Sequence, residues 1–573
     1  MSTLLVFDAG RLNIRILYLT LSTPRIYCIA RMKSFSACLW VLAVSVAFLV
    51  QTSASPVASA PVVNLGYAQY QGAIIQDKVT NATHTQFLGI RYAAPPTGSL
   101  RFRAPALPAV TAGVQQATSS PPSCMQGSGG LSPTTPFRAG HLQSRTEQDV
   151  GPSEDCLFLN VFLPGTLDQR KTLPVVVYIH GGGYIEGAAD TGAGNDLIRE
   201  SGEGVVSVFI QYRLGLFGFL PGRKVKEGGS LNAGLLDQQL ALKWVQQHIW
   251  QFGGDRAKVT IWGTSAGAGS VLQHVVANGG FTFPPLFRAA MTSSTFLPSQ
   301  YKYNDRIPEL VYSEAVSHTN CSSATNTLDC LRSVDVNTLQ AANGKISQGG
   351  FFGTFVFVPV VDGTFITDRP TQLLQHRRIN GKILYSVTNA FEGVIFVDQS
   401  TANTVQVADY VTQLFPNISP GQAKAAAAKY AGLGTNIDQV NGIMGEAIFI
   451  CPTYYLLRAF GGKAFKGEFA IPLGHHGQDI AYYFTNGVAP PFANPSFDTA
   501  FADSFMDFTM HLNPNDKHDP ANITPLWQMW QGSNEMLFNK TDGGDAVVQP
   551  IKTSTALLDR CNFWQSVAEN TAQ

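Results

Sequence analysis

Charge is scarce in this 573-residue chain and favours neither sign: Lys and Arg number 39, Asp and Glu 39, and charged residues make up 14% of the whole. That balance excludes the basic excess that nucleic acid or an anionic membrane surface selects. No acidic tail and no block of like charge is present. Outside the N-terminal region no run of about 18 apolar residues occurs, the length a bilayer-crossing helix needs. The H-E-x-x-H spacing of a zinc site is missing, and so are internal repeats and long linkers. What is plentiful is apolar side chain, 45% of residues, enough for a large buried core.

The N-terminal exception has its own logic. Met32-Lys33 precedes an apolar run from Ala37 to Val50 and small residues near Ala54. A positive start, a short apolar stretch and a small-residue exit describe a signal peptide over 32–55. Residues 1–31 then read as an extension outside the native protein; the rival reading is an uncleaved signal anchor. Of eight cysteines, Cys28 and Cys38 fall in the part expected to be removed. Cys124, Cys156, Cys321, Cys330, Cys451 and Cys561 remain, an even set that suggests disulfides and leaves their pairing open. Acceptor triplets for N-glycosylation begin at Asn81, Asn320, Asn417, Asn522 and Asn539. Asn320 is followed by Cys321 and the Asn417 triplet by Pro420, which weakens those two.

From Val62 onward, short apolar runs alternate with helical patterns. Val175–His180, Val205–Tyr212, Val259–Trp262 and Lys382–Val387 are continuous apolar runs, expected of strands buried on both faces of a parallel sheet. Leu236, Leu240, Trp244, Val245, Ile249 and Phe252 recur at helical spacing and stop at Gly253-Gly254. Ala423–Ala431 reads as a helix ended by Gly432. The Gly-, Ser- and Pro-rich stretch 125–153 reads as an excursion loop. Strand–helix alternation predicts one large α/β domain over 62–573, doubly wound, with insertions.

Gly263-Thr264-Ser265-Ala266-Gly267 directly follows the run Val259–Trp262, and the residues after it can open a helix. A serine on a tight strand-to-helix turn is presented above the sheet with a helix N-terminus behind it. The bland reading is a Gly-rich turn without chemistry; the strand before it and the partners below argue against that. His180-Gly181-Gly182-Gly183-Tyr184 ends another strand. Glycines leave backbone N–H groups unobstructed, so Gly182 and Gly183, with Ala266, are expected to donate to an oxyanion. A phosphate cradle is the alternative, but no Walker lysine follows and no G-x-G-x-x-G pattern occurs.

A serine needs a base, and the base an orienting carboxylate. Glu392 follows the run Lys382–Val387 in Thr388-Asn389-Ala-Phe-Glu392-Gly393, at a strand's C-terminal end, where function collects in open α/β sheets. Downstream, Leu473-Gly-His475-His476-Gly-Gln-Asp479 offers a histidine pair in a Gly-flanked loop; His511 and His518 lie in a polar stretch. A lone surface Glu or a lone loop His is more often solvated than functional. Chain order alone leaves His475 and His476 both open.

These residues resemble the type B carboxylesterase/lipase family, which includes fungal lipases and cholinesterases. The likeness runs from about Val62 to Trp564 and includes the segments Phe87–Phe102, Glu154–Val161, Tyr212–Gly215, Asn232–Gln238 and Phe252–Asp255. It implies the α/β-hydrolase fold: a mostly parallel central sheet flanked by helices, with loops over the site. Its Asn-x-x-Glu-Gly pattern falls on Asn389–Gly393 and points to Glu392. Its base, a histidine followed three residues later by an acid, matches His476 with Asp479. It implies disulfides Cys124–Cys156, Cys321–Cys330 and Cys451–Cys561, and a triad of Ser265, Glu392 and His476.

Two departures narrow the expectation. Thr264 stands where the family usually has Glu. The loop from Cys124 to Cys156 holds no Trp to bind a quaternary ammonium and is mostly polar, where related lipases carry an apolar lid. The expectation is a secreted serine carboxyl-ester hydrolase of apolar esters, needing no metal or organic cofactor. Its substrate is a small-molecule or lipid ester, with transient contact at a lipid interface and no nucleic-acid partner. Segments around Phe296, Phe351 and Phe396 would serve as core or as acyl pocket. The alternatives are a true lipase on long-chain glycerides or sterol esters, and a non-catalytic cholinesterase-like binding protein.

Overall fold

In the computed structural model, residues 60–139, 152–189 and 193–573 are described. The expected extension (1–31) and signal peptide (32–55) lie outside them. The strands in chain order are β1 (Val62–Asn64), β2 (Gln69–Gln71), β3 (Ala73–Gln76), β4 (Thr83–Arg91), β5 (Val114–Gln116), β6 (Phe158–Pro164) and β7 (Leu173–Ile179). They continue as β8 (Val206–Ile210), β9 (Gly254–Thr264), β10 (Ala289–Ser293), β11 (Leu384–Asn389), β12 (Ala464–Phe469), β13 (Asn534–Lys540) and β14 (Ala546–Lys552). β1, β2 and β5 make a 3-stranded sheet. The rest form an 11-stranded sheet in the order β14-β13-β12-β11-β10-β9-β7-β8-β6-β4-β3.

From β8 to β13 every neighbouring pair is parallel; antiparallel pairs finish both edges. The four apolar runs became β7, β8, β9 and β11, inside this parallel block, because their side chains feed two cores at once. Successive residues point to opposite faces. Thus Val175, Val177 and Ile179 join one core, and Val176 and Tyr178 the other. Helices Ala233–His248 and Ala266–Gly280 cover the first face with Leu235, Val245, Val271 and Leu272. Helices Ala193–Glu200 and Pro495–His511 cover the second with Leu197, Phe497, Phe501 and Phe505. Helix Ala233–His248 runs on through a tight turn to Gly253, whose φ of 80° ends it and lets β9 begin.

The Ala-rich segment forms helix Pro420–Tyr430, opened by a capping box between Ser419 and Gln422. One helix among the described residues, Asn436–Ala459, is long and apolar enough to cross a membrane by length and composition. However, 83% of its apolar window is buried inside the fold. It is an interior element, and the bond Cys451–Cys561 ties it to helix Thr555–Ser566. Cys124–Cys156 closes the excursion loop and Cys321–Cys330 a short one, so the three pairs are those the resemblance implies. Of the glycosylation acceptors, Asn81, Asn320 and Asn417 are exposed and Asn539 is partly buried. Asn522 is 4% exposed: its side-chain oxygen accepts from Thr524 N–H, and its Nδ2 is enclosed.

Candidate active site

Thr264 ends β9 and Ala266 begins a helix, so Ser265 alone makes the turn, at φ 58° and ψ −123°. A non-glycine residue at positive φ stores strain that its surroundings must hold. They do so through backbone bonds: Ser265 N–H donates to Ser293 O at 2.9 Å, and Gly269 N–H to Ser265 O at 2.8 Å. The flanking glycines are steric requirements. A Cβ on Gly263 would lie 2.3 Å from Gly267 carbonyl carbon, and one on Gly267 only 2.0 Å from Ile179 O.

Beside the elbow, β7 delivers His180–Tyr184. Gly182 and Gly183 take φ of 97° and 62°, and among the described residues neither N–H is engaged by a backbone carbonyl. A Cβ on Gly181 would approach Ser265 Cβ to 3.1 Å, so this loop lies against the serine. Ala266 occupies the first position of its helix, where N–H groups lack intrahelical partners.

Parallel register places the next groups. Ser293 pairs with Thr264 across β10 and β9, and with Val387 across β10 and β11, so the ends of three strands share one edge. Ser294 and Glu392 emerge there. Glu392 is 1% exposed. Its Oε1 accepts from Ser294 Oγ–H and Asn389 N–H, each at 2.7 Å, which leaves Oε2 for His476 Nδ1 at 2.6 Å. The loop after β12 reaches the loop after β11 through a bridge between Phe391 and His475, with Phe391 N–H donating to Gly474 O at 2.8 Å. Of the two histidines it is His476 that meets Glu392. Its ring rests against Phe449 and Phe396, with centroids at 4.5 and 5.0 Å.

Behind this pair lies a buried polar chain that motif order does not reveal. Tyr178 OH donates to Thr264 Oγ1, and Thr264 Oγ1 stands 3.1 Å from Tyr483 OH. Tyr483 OH and Asn389 Nδ2 each donate to Asp479 at 3.0 Å, and Asn389 Nδ2 also reaches Ser294 Oγ at 3.1 Å. Burial pushes the Asp479 carboxyl up to about 6, and the charge of Glu392 adds to the rise; the donors Asn389 and Tyr483 oppose it. Thr264, the departure from the family pattern, is therefore a neutral link between the elbow and the base loop. Ser294, Asn389 and Tyr483 carried no assignment from the sequence. The signal for Ser294 is a run of hydroxyl residues, Thr292–Thr295, at the end of a strand beside the nucleophile's strand.

Next to the His180–Tyr184 loop lies a cavity lined by Phe296, Phe351, Phe355, Val358, Met444 and Ile448 among others. Phe296 and Phe351 thus serve both readings made of them: they are buried core residues and they line the cavity. Phe396 packs on His476 instead. Phe355 joins cavity to loop, since a Cβ on Gly183 would meet its ring at 2.2 Å.

Comparison with known proteins identifies the family. Residues 59–564 match the Carboxylesterase family. The chain is 30% identical to "Carboxylesterase patB" of Aspergillus clavatus over 561 residues, covering 90% of this chain and 97% of that protein. It is 31% identical to "Lipase 2" of Diutina rugosa, covering 78% of this chain and 87% of the other. It is 34% identical to "Secreted lipase 1" of Botryotinia fuckeliana, covering 80% and 86%. The crystal structure of Aspergillus niger EstA superposes with a TM-score of 0.78 at 30% identity, covering 90% of this chain and 99% of that one. The sheet is that of an α/β-hydrolase, and the chain belongs to the carboxylesterase family as a carboxylic-ester hydrolase.

Proposed function

We propose that Ser265, His476 and Glu392 carry out this hydrolysis through an acyl-enzyme, in a secreted protein that acts on apolar esters. The observation that supports it most is the 2.6 Å bond between His476 Nδ1 and a Glu392 carboxylate already fixed by two donors, at the strand edge that also carries Ser265. Bonding at Nδ1 holds the imidazole in the tautomer whose Nε2 is free to accept a proton. Ser265 Oγ attacks the ester carbonyl as His476 takes its proton. The N–H groups of Gly182, Gly183 and Ala266 receive the oxyanion, and the N-terminus of helix Ala266–Gly280 favours the same charge. His476 then protonates the leaving alcohol. Water, deprotonated by His476, attacks the acyl-enzyme, and His476 returns that proton to Ser265 Oγ as the acid is released. The cavity beside Phe355 accepts the acyl group. Secretion is supported by three disulfides, by the N-terminal signal pattern and by relatives named as secreted lipases.

Hydrolysis of p-nitrophenyl esters from acetate to palmitate tests this, with S265A alongside. The expected result is turnover that S265A lowers by about a million-fold, the loss typical of a missing serine nucleophile. A rate maximum at short acyl chains identifies an esterase; one at long chains, rising once substrate exceeds its solubility, identifies a lipase. Hydrolysis undiminished in S265A refutes the assignment.

A further inference from the structure

The two oxyanion-loop glycines face different walls. The Cβ direction of Gly183 leads to the Phe355 ring and the apolar cavity; that of Gly182 leads to Glu186, at 2.2 Å from its carbonyl oxygen and 2.8 Å from its Cγ. The turn between them is closed by Ile185 and Glu186 N–H donating to Gly182 O at 2.9 and 3.0 Å. Gln126 clamps the next residue, accepting from Gly187 N–H at 2.7 Å and donating to Gly187 O at 3.1 Å. Glu186 is thereby pinned against an oxyanion donor while its side chain stays exposed. Among the described residues its carboxylate takes part in no ion pair and no hydrogen bond. Glu154 and Glu446, by contrast, are gripped by Arg101 and Arg560. Its surroundings enclose it enough that burial raises its pKa.

We propose that Glu186 is a specificity-determining residue that sorts esters by the charge of their alcohol. Resting on the acyl-enzyme reading above, the acyl group lies in the cavity beside Phe355 and the alcohol leaves on the opposite side of the oxyanion turn. An unpaired carboxylate there favours alcohols that carry a cation and disfavours those that carry an anion. Its effect is Coulombic and therefore modest and screened by salt.

The test is kcat/KM of the full-length enzyme for three butyrate esters of matched size. One is butyrylcholine. The second replaces its trimethylammonium with a tert-butyl group, and the third with a sulfonate. The cation-to-anion ratio should fall on the order of tenfold in E186Q at low salt, and the gap between variant and wild type should shrink at high salt. E186D, which keeps the charge, should retain the ratio. A ratio unchanged in E186Q, a change that salt does not touch, or a loss equal in E186D overturns the proposal. Failure of the wild type to cleave the neutral ester, or cleavage undiminished in S265A, removes the acyl-enzyme reading and this proposal with it. That outcome is separate from an unchanged ratio in an otherwise active enzyme.

Discussion

Asp479 shows how much of this site is held by groups that never meet a substrate. Its carboxyl is fully enclosed and pushed up to about 6, against an ordinary value near 3.8. The fold therefore holds its proton more tightly than the unfolded chain does. The sign follows from that: its contribution to stability is complete in acid and is lost as pH rises from about 4 to above 6, by roughly 3 kcal/mol in all. In D479N that loss should disappear. Thermal unfolding followed from pH 4 to pH 7 should show a smaller decline for the variant than for wild type, and equal declines would contradict the burial argument. The amide keeps a hydrogen-bonding oxygen for Asn389 or Tyr483, so the catalytic pair should remain assembled.

Among elements, strands β12 and β13 share a buried charge pair. Lys466, wholly buried on β12, donates to Thr388 Oγ1 at 2.9 Å and lies 3.4 Å from Glu535 Oε2 on β13. Glu535 in turn accepts from Tyr454 OH at 2.7 Å and from Thr553 Oγ1. Removing one charge from such a pair strands the other, which typically costs about 3–5 kcal/mol, whereas replacing both by apolar groups costs far less. E535Q should therefore lower the urea midpoint more than the double replacement K466M/E535L does. The reverse order would show that the pair is not sealed from water. β12 also leads into the loop that carries His476, so E535Q should lose activity at a lower denaturant concentration as well.

For the molecule as a whole, legibility depended on how local each feature is. The elbow could be read because every requirement of it sits within five residues: a strand, two close-approach glycines and a helix start. The parallel block was visible in Val175–His180 because burial on both faces removes polar alternation. The acid and the base were ordered by motif but not located by it, since β9, β11 and β12 bring them together only through sheet register. Nothing in His475-His476 itself says which ring faces Phe449. Asp479, Asn389 and Ser294 form their chain across three segments distant in sequence, so it leaves no local pattern. Glycosylation is the reverse case: the triplets are local, but accessibility is not. Secreted protein should carry a glycan on exposed Asn81, whose triplet has neither weakness, and none on Asn522, where the amide nitrogen is enclosed. Peptide mass mapping before and after enzymatic deglycosylation decides this, and occupancy at Asn522 would show that the segment opens before folding completes.

The cavity beside the oxyanion loop is walled by chain that the sheet does not own. Phe296, Phe351, Phe355, Met444 and Ile448 lie in connections and in the interior helix rather than in strands. Ser265 and Glu392, by contrast, are anchored at strand ends, and His476 lies in the loop that follows β12. Reaction and appetite are thus written in separate parts of the chain. Descendants of this enzyme can trade one acyl group for another by remodelling these walls, while the inherited chemistry passes through unaltered.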